Sequence, residues 1–284
     1  MKEISIVIPV YNSAECVEKL TKEIAEALKD FDYEQIMVND CSRDASWNKI
    51  CSVINEGYPV IGINLRKNSG QDNAIFAGLT KASAKWIVIM DDDLQHSPHD
   101  IPALYKKAEE GFDCVYAKPK GLYLSPFKII KGDVIAEVIK SQSLFPYIDG
   151  LIFQVTQNIT QIPIQHHKRA AGKSNYNLIK SIRVFAKLVF GFSVTPLRIA
   201  SWIGTLCALA GFGLGIFYLV EYFTGKADVT GWTTLVVLIL FIGGLNLISL
   251  GIIGEYIGRS YLTVNKNPRF TISEIKTNRT NHND

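Results

Sequence analysis

The chain has 284 residues, 48% of them hydrophobic, and a formal net charge of +3. That size suits one ordinary globular domain with a smaller appendage, and the composition excludes a disordered or collagen-like chain. So mild a basic excess argues against nucleic acid as the main partner, which calls for a dense basic face.

The chain opens directly on an apolar run, Ile4 to Val10, with no basic stretch, long apolar segment and cleavage site of the kind a secretory leader carries. This run, with Gln35 to Asn39, Val60 to Leu65 and Trp86 to Met90, predicts buried strands. Between the first two, Val17, Leu20, Ile24 and Leu28 recur at the spacing of one helix face, and Ala45 to Ile54 and Asn73 to Ala82 predict further helices. Strand-helix alternation predicts a mostly parallel α/β sheet covered on both faces. Ligands of such sheets bind where the strands end, so the residues just after each strand carry the interest.

Four clusters stand there or nearby. Asp91-Asp92-Asp93 follows the fourth strand, and adjacent carboxylates repel unless a cation compensates. Asp91 and Asp93 are therefore candidate ligands for Mg²⁺ or Mn²⁺, which favour oxygen and bridge to phosphates; the plainer alternative is a solvated acidic turn. Pro9, Tyr11 and Asn12 close the first strand, where the Tyr ring can stack on a base or simply belong to a turn. Asp40 closes the second and can accept from a base N–H, while Asp44 can cap the next helix. Arg169, Lys173 and Ser174 lie in a glycine-containing basic loop that suits a phosphate, or a flexible linker.

The middle of the chain is punctuated by prolines, and Gln161 to His167 predicts a late strand ending in His166 and His167, read as structural because no third ligand at metal spacing follows. Residues 177–192 predict a basic amphipathic helix lying in a membrane interface. Ile199 to Val220 and Trp232 to Ile253 are free of charge, and each is long enough, at roughly 33 Å, to cross a bilayer core. The short link between them makes an antiparallel hairpin. Lys180, Arg183, Lys187, Arg198, Arg259, Lys266 and Arg269 flank it on one side against Lys226 alone in the link, which predicts cytoplasmic flanks. Gly211-x-x-x-Gly215 and Gly254-x-x-x-Gly258 permit close helix contact and leave a homo-oligomer open. Five scattered cysteines without C-x-x-C spacing fit a reducing compartment rather than a zinc site or disulfide framework.

Taken in order, VIPVYN (7–12), NDCSRD (39–44), NSGQDNAIFAGL (68–79), MDDDLQHSP (90–98), RAAGKSNY (169–176), TPLR (195–198) and GIIGEYIGRSY (251–261) resemble the polyisoprenyl-phosphate glycosyltransferases over nearly the whole chain. The resemblance implies a Rossmann-like GT-A catalytic domain over 1–176, the interfacial helix 177–192, a transmembrane hairpin over 193–258 and a cytoplasmic tail over 259–284. It implies inverting transfer of a sugar from a nucleotide-sugar, by family habit a UDP-sugar, to undecaprenyl phosphate at a bacterial-type plasma membrane. Pro9, Tyr11, Asn12 and Asp40 would hold the nucleotide, Asp91 and Asp93 the metal and diphosphate, Gln95 the sugar, and Arg169, Lys173 and Ser174 the acceptor phosphate. The chain departs from the pattern in Asn12-Ser13, in Asn39-Asp40, and in a segment shortened near Ala117-Lys118. An aspartate common in relatives is replaced near Leu122, and Asp149 is the nearest carboxylate to take its catalytic place. Two rivals remain: a processive polysaccharide synthase, which needs a translocation path and a Q-x-x-R-W signature not found here, and a non-enzymatic membrane scaffold, against which Asp91-x-Asp93 and the basic loop speak.

Overall fold

The computed structural model describes residues 2–118, 125–142, 146–164, 195–224, 231–265 and 268–278. It divides into two units, Met1–Ser174 with Asn267–Asp284, and Asn175–Lys266. The basic loop with Arg169, Lys173 and Ser174, His166, His167 and the helix expected at 177–192 lie outside the described residues.

The first unit is built on an eight-stranded sheet. Its strands are β1 (Ile4–Val10), β2 (Tyr33–Asn39), β3 (Val60–Leu65), β4 (Trp86–Ile89), β5 (Cys114–Lys118), β6 (Lys128–Lys131), β7 (Ile159–Pro163) and β8 (Ile272–Thr277), in the order β7-β5-β6-β4-β1-β2-β3-β8. β1 to β4 are parallel neighbours; β6 runs antiparallel to both β4 and β5, and β8 antiparallel to β3. Every residue of β1 is buried, as its run, apolar but for Ser5, requires when helices cover both faces. On one face Ile6, Ile8 and Met37 pack with Val17, Leu20 and Ile24 of helix α1 (Ala14–Ala27) and with Ile50 and Val53 of α2 (Ser46–Asn55). The other face receives α3 (Gln71–Leu79), which comes so close that a Cβ on Gly78 would lie 2.5 Å from Cγ1 of Val7. Only glycine permits that approach.

The expected first four strands and the first three helices are present, with α3 starting two residues earlier than its apolar pattern suggests. Helices α4 (Ile101–Ala108), α5 (Gly132–Val138) and α6 (Ile148–Val155) also belong to the described residues of this unit. β5, β6 and β8 have no counterpart in the sequence reading. They are short, and β8 alternates Ile272, Glu274 and Lys276 along one edge, a pattern legible as a strand only once β3 offers a partner. Its charges also protect an exposed sheet edge.

The second unit contains α7 (Thr195–Phe223) and α8 (Trp232–Val264), of 29 and 33 residues. The expected spans 199–220 and 232–253 fall inside them. Both helices are long and apolar enough to cross a membrane, and their large side chains are exposed, Trp202 by 71% and Leu247 by 72%. Exposed apolar rings and branches on this scale need a nonaqueous surround.

Candidate active site at the strand ends

The carboxyl ends of β1, β2 and β4 turn sharply. Asn12 (φ 54°), Cys41 (φ 55°) and Leu94 (φ 59°) adopt left-handed backbone, and among the described residues no other non-glycine does. All three sit in the loops that follow strands of the site, where strained backbone is tolerated because surrounding bonds fix it. Those bonds can be followed one by one. The Asn12 N–H donates to Ser42 Oγ (3.1 Å), and Asn12 Oδ1 accepts from the Arg43 N–H (2.8 Å), so the first two turns hold each other. Asp44 serves two helix starts at once. Its Oδ2 accepts from the Ala14 N–H (3.1 Å), and its Oδ1 from Ser46 N (3.0 Å) and Oγ (2.5 Å). Burial pushes this carboxyl up, yet the bonds from Ser46 and Ala14 outweigh it and the net shift is downward.

Asp40 is almost wholly buried, and its two oxygens accept from the backbone N–H groups of Ser69 (2.6 Å) and Gly70 (2.9 Å). It thus shapes the turn entering α3, at which Gly70 takes φ 88°. The three adjacent aspartates reach different partners. Asp92 Oδ2 accepts from the Tyr11 N–H (3.3 Å), and the Ser13 side chain also bonds it. Burial raises Asp92 above the usual carboxylate range. Asp91 Oδ1 accepts from Gln71 Nε2 (2.7 Å), at the first residue of α3. Asp93 Oδ1 accepts from the Gln95 N–H (3.1 Å) across Leu94, which closes the acidic turn on itself.

Of the residues expected at the nucleotide, Tyr11 is 45% exposed and leaves its ring open at the strand end, whereas Pro9 is buried inside β1 opposite Val38. The structure therefore brings Tyr11, Asn12, Asp40, Asp91, Asp93 and Gln95 to one edge. Asp149 lies elsewhere in the bonding scheme. It pairs with the buried ammonium of Lys128 at the start of β6 and accepts from the Tyr116 hydroxyl (2.8 Å). Burial and Asp149 together push Tyr116 well above its ordinary value, so it remains a donor. Sequence reasoning missed Ser69, Gly70, Gln71 and Asp92 as site-building residues. The stretch 68–79 carried the signal, since a glycine between a strand and a helix start marks a turn with positive φ.

Asp91 and Asp93 offer hard carboxylate oxygens, and no group of three or more His, Cys, Asp or Glu is placed to hold a metal among the described residues. A divalent ion at this turn would need further oxygens from a ligand, a donor set that fits Mg²⁺ or Mn²⁺ with a diphosphate rather than zinc.

Residues 5–165 match glycosyl transferase family 2. The chain belongs to that family. It is a glycosyltransferase, and its resemblance to the polyisoprenyl-phosphate enzymes holds. Residues 195–260 match a second family, described as the GtrB C-terminal hairpin. The undecaprenyl-phosphate 4-deoxy-4-formamido-L-arabinose transferase of Serratia proteamaculans is 30% identical over 100% of this chain and 97% of its own. Its counterpart in Yersinia enterocolitica is 31% identical over 97% of this chain and 94% of its own. The first alignment runs to 316 positions against 284 residues, so that relative carries residues this glycosyltransferase lacks. Glucosyl-3-phosphoglycerate synthase from Mycobacterium tuberculosis, solved with Mn²⁺, UDP and phosphoglyceric acid, superposes with a TM-score of 0.50 at 16% identity, over 66% of this chain and 76% of that one. That likeness establishes the GT-A fold.

Proposed function

We propose that this glycosyltransferase moves a sugar from a nucleotide-sugar, a UDP-sugar by preference, to a polyisoprenyl phosphate such as undecaprenyl phosphate, with inversion at the anomeric carbon. The observation that carries the reading is an acidic strand-end turn beside an open Tyr11 ring, in a chain that also holds an apolar helix pair. Tyr11 stacks on the base, and Asp40, fixed between Ser69 and Gly70, keeps lone pairs for a base N–H. Gln95 lines the sugar. Arg169, Lys173 and Ser174 hold the acceptor phosphate.

Asp91 and Asp93 hold Mg²⁺ or Mn²⁺, which when bound would supply positive charge to the departing diphosphate. An acceptor phosphate oxygen attacks the anomeric carbon as the bond to the diphosphate oxygen breaks, and the nucleoside diphosphate leaves with that electron pair. The attacking group is an oxyanion already, so no strong base is required. Asp149, engaged by Lys128 and Tyr116, is the carboxylate proposed for the catalytic place that an aspartate near Leu122 takes in relatives.

The fold supports a single side for both flanks of the hairpin. β1 to β7 precede α7 in the chain and β8 follows α8, yet all share one sheet. If both helices span, they return to the side they left, and the flanking cations put that side in the cytoplasm. The test is to incubate the full chain in detergent with a panel of UDP- and GDP-sugars, Mg²⁺ or Mn²⁺ and undecaprenyl phosphate, then analyse the extracted lipid by mass spectrometry. A lipid-linked sugar from one donor is expected. No glycolipid from any donor overturns the reading.

A further inference from the structure

The segment after α8 does not end as a free tail. Within a few residues of Val264 it joins the sheet as β8, whose Ile272 pairs with Leu65 at the carboxyl end of β3 across an irregularity in register. One residue earlier, the carbonyl of Thr271 accepts from the Arg66 N–H (2.8 Å), just beyond β3. Arg66 in turn offers its carbonyl to Cys41 Sγ (3.8 Å), in the left-handed turn beside Asp40. Farther back, the Arg269 guanidinium lies over the ring of Phe76 at 4.3 Å from its centroid. Phe76 is buried at the middle of α3, and burial lowers the Arg269 pKa.

α3 is the element that supports both sides of the donor site. Its approach turn carries the two N–H groups that fix Asp40, and Gln71 at its first residue bonds Asp91. Asn73 Nδ2 ties the same turn back through the Ser69 carbonyl (2.9 Å). A shift of α3 along its axis would therefore move partners of Asp40 and Asp91 together. An aliphatic side chain would cover Phe76 as well as Arg269 does, but a planar guanidinium stacked on a ring also fixes orientation.

We propose that Arg269 is a positioning residue for the nucleotide-sugar site: stacked on Phe76, it locks α3 so that the Ser69–Gly70 turn and Gln71 hold Asp40 and Asp91 in register. It touches no reacting atom. The kinetic arm of this inference rests on the nucleotide-sugar reading; its structural arm does not.

The experiment compares the full chain in detergent with Arg269→Ala, Arg269→Lys and Phe76→Leu, by amide hydrogen exchange and by initial rates against donor and against lipid phosphate. In Arg269→Ala, exchange at residues 69–73 rises while β1 and β4 stay protected. The donor Michaelis constant increases about fivefold, equivalent to about 1 kcal/mol for a partly desolvated cation–π contact. The lipid constant stays within about twofold, and Arg269→Lys recovers part of the loss. Phe76→Leu reproduces the Arg269→Ala pattern, and the double variant adds little to either. Unchanged exchange at 69–73 overturns the proposal, as does an equal rise across β1 and β4, which would mark a general loss of stability. If the parent chain transfers no sugar from any donor, the functional reading fails alone and the exchange pattern still decides the role of Arg269.

Discussion

The two edges of the central sheet use similar residues for opposite ends. At the amino edge Glu34 is buried: Ser5 Oγ (2.5 Å), Ser83 N (3.1 Å) and Ser83 Oγ (3.1 Å) converge on one carboxylate oxygen and close the turn before β4. Where the chain needs positive φ after α2 and α4, Gly57 and Gly111 supply it without a Cβ. At the carboxyl edge the same backbone geometry falls on Asn12, Cys41 and Leu94. One edge takes its positive φ at glycines. The other holds strain in place through Ser42, Arg43 and Gln95, and presents Tyr11 and the Asp91–Asp93 turn. The difference teaches that function here costs local conformational energy, which the packed middle of the sheet offsets.

The largest expected effect comes from the acidic turn. Asp91→Asn or Asp93→Asn should lower turnover by about a hundredfold or more, because charge is lost where the leaving diphosphate develops it. Circular dichroism should stay unchanged, since neither residue belongs to the core. Initial rates under saturating donor check this, and near-normal turnover would erase the functional half of the comparison.

Next in size is a change in the packed middle. Gly78→Ala would set a methyl 2.5 Å from Val7 Cγ1 and 3.1 Å from Val38 Cγ2, both branched core atoms with nowhere to go. A cost of about 1–3 kcal/mol follows from overpacking. Thermal denaturation should fall by about 2–4 °C for each kcal/mol in a domain of this size. An unaltered midpoint would show that α3 packs more loosely than its glycine implies.

Asp92→Asn gives a smaller and opposite lesson within the same acidic run. Its partners are Tyr11 N and Ser13, so replacement should cost about 1 kcal/mol of hydrogen bonding and leave turnover within a few-fold. Because burial raises its pKa, the folded state holds this proton to higher pH than the unfolded chain. The stability that Asp92 contributes is thus fully present below its ordinary value of 3.8 and is lost as pH rises through the folded value. Denaturation midpoints of parent and Asp92→Asn across acidic pH should differ in slope within that window and run parallel above it.

A last pair of substitutions separates the edges directly. Gly57→Ala forces a Cβ into left-handed backbone and should cost about 1–2 kcal/mol without touching donor affinity. Cys41→Asn, which suits that conformation better, should leave stability equal or raise it by a few tenths of a kcal/mol. Urea denaturation resolves the first; paired titrations with a nucleotide and urea resolve the second. Equal costs at both positions would mean that the strain at Cys41 is not held by the site.

What the sequence determined by itself was whatever depends on local pattern. The short, largely apolar run Ile4–Val10 suits a strand buried on both faces, and α1 follows from Val17, Leu20 and Ile24 at helical spacing. Two long uncharged segments admit few structures besides membrane-length helices, and the adjacent carboxylates of Asp91 to Asp93 call for compensation by a cation or by water. Tertiary structure alone decided which partner each carboxylate meets. Asp40, Asp92 and Asp149 are as acidic in sequence as Asp91 and Asp93, but backbone N–H groups and a buried lysine from distant segments bond the first three, while the Gln71 side chain and the Gln95 N–H bond the other two. It also decided β8: Ile272–Thr277 is a marginal strand by composition, and only the open edge of β3 stabilises it there. Hydrogen-bond partners many residues away leave no trace in local periodicity, so the assembly of the site becomes visible only when the sheet brings its turns together.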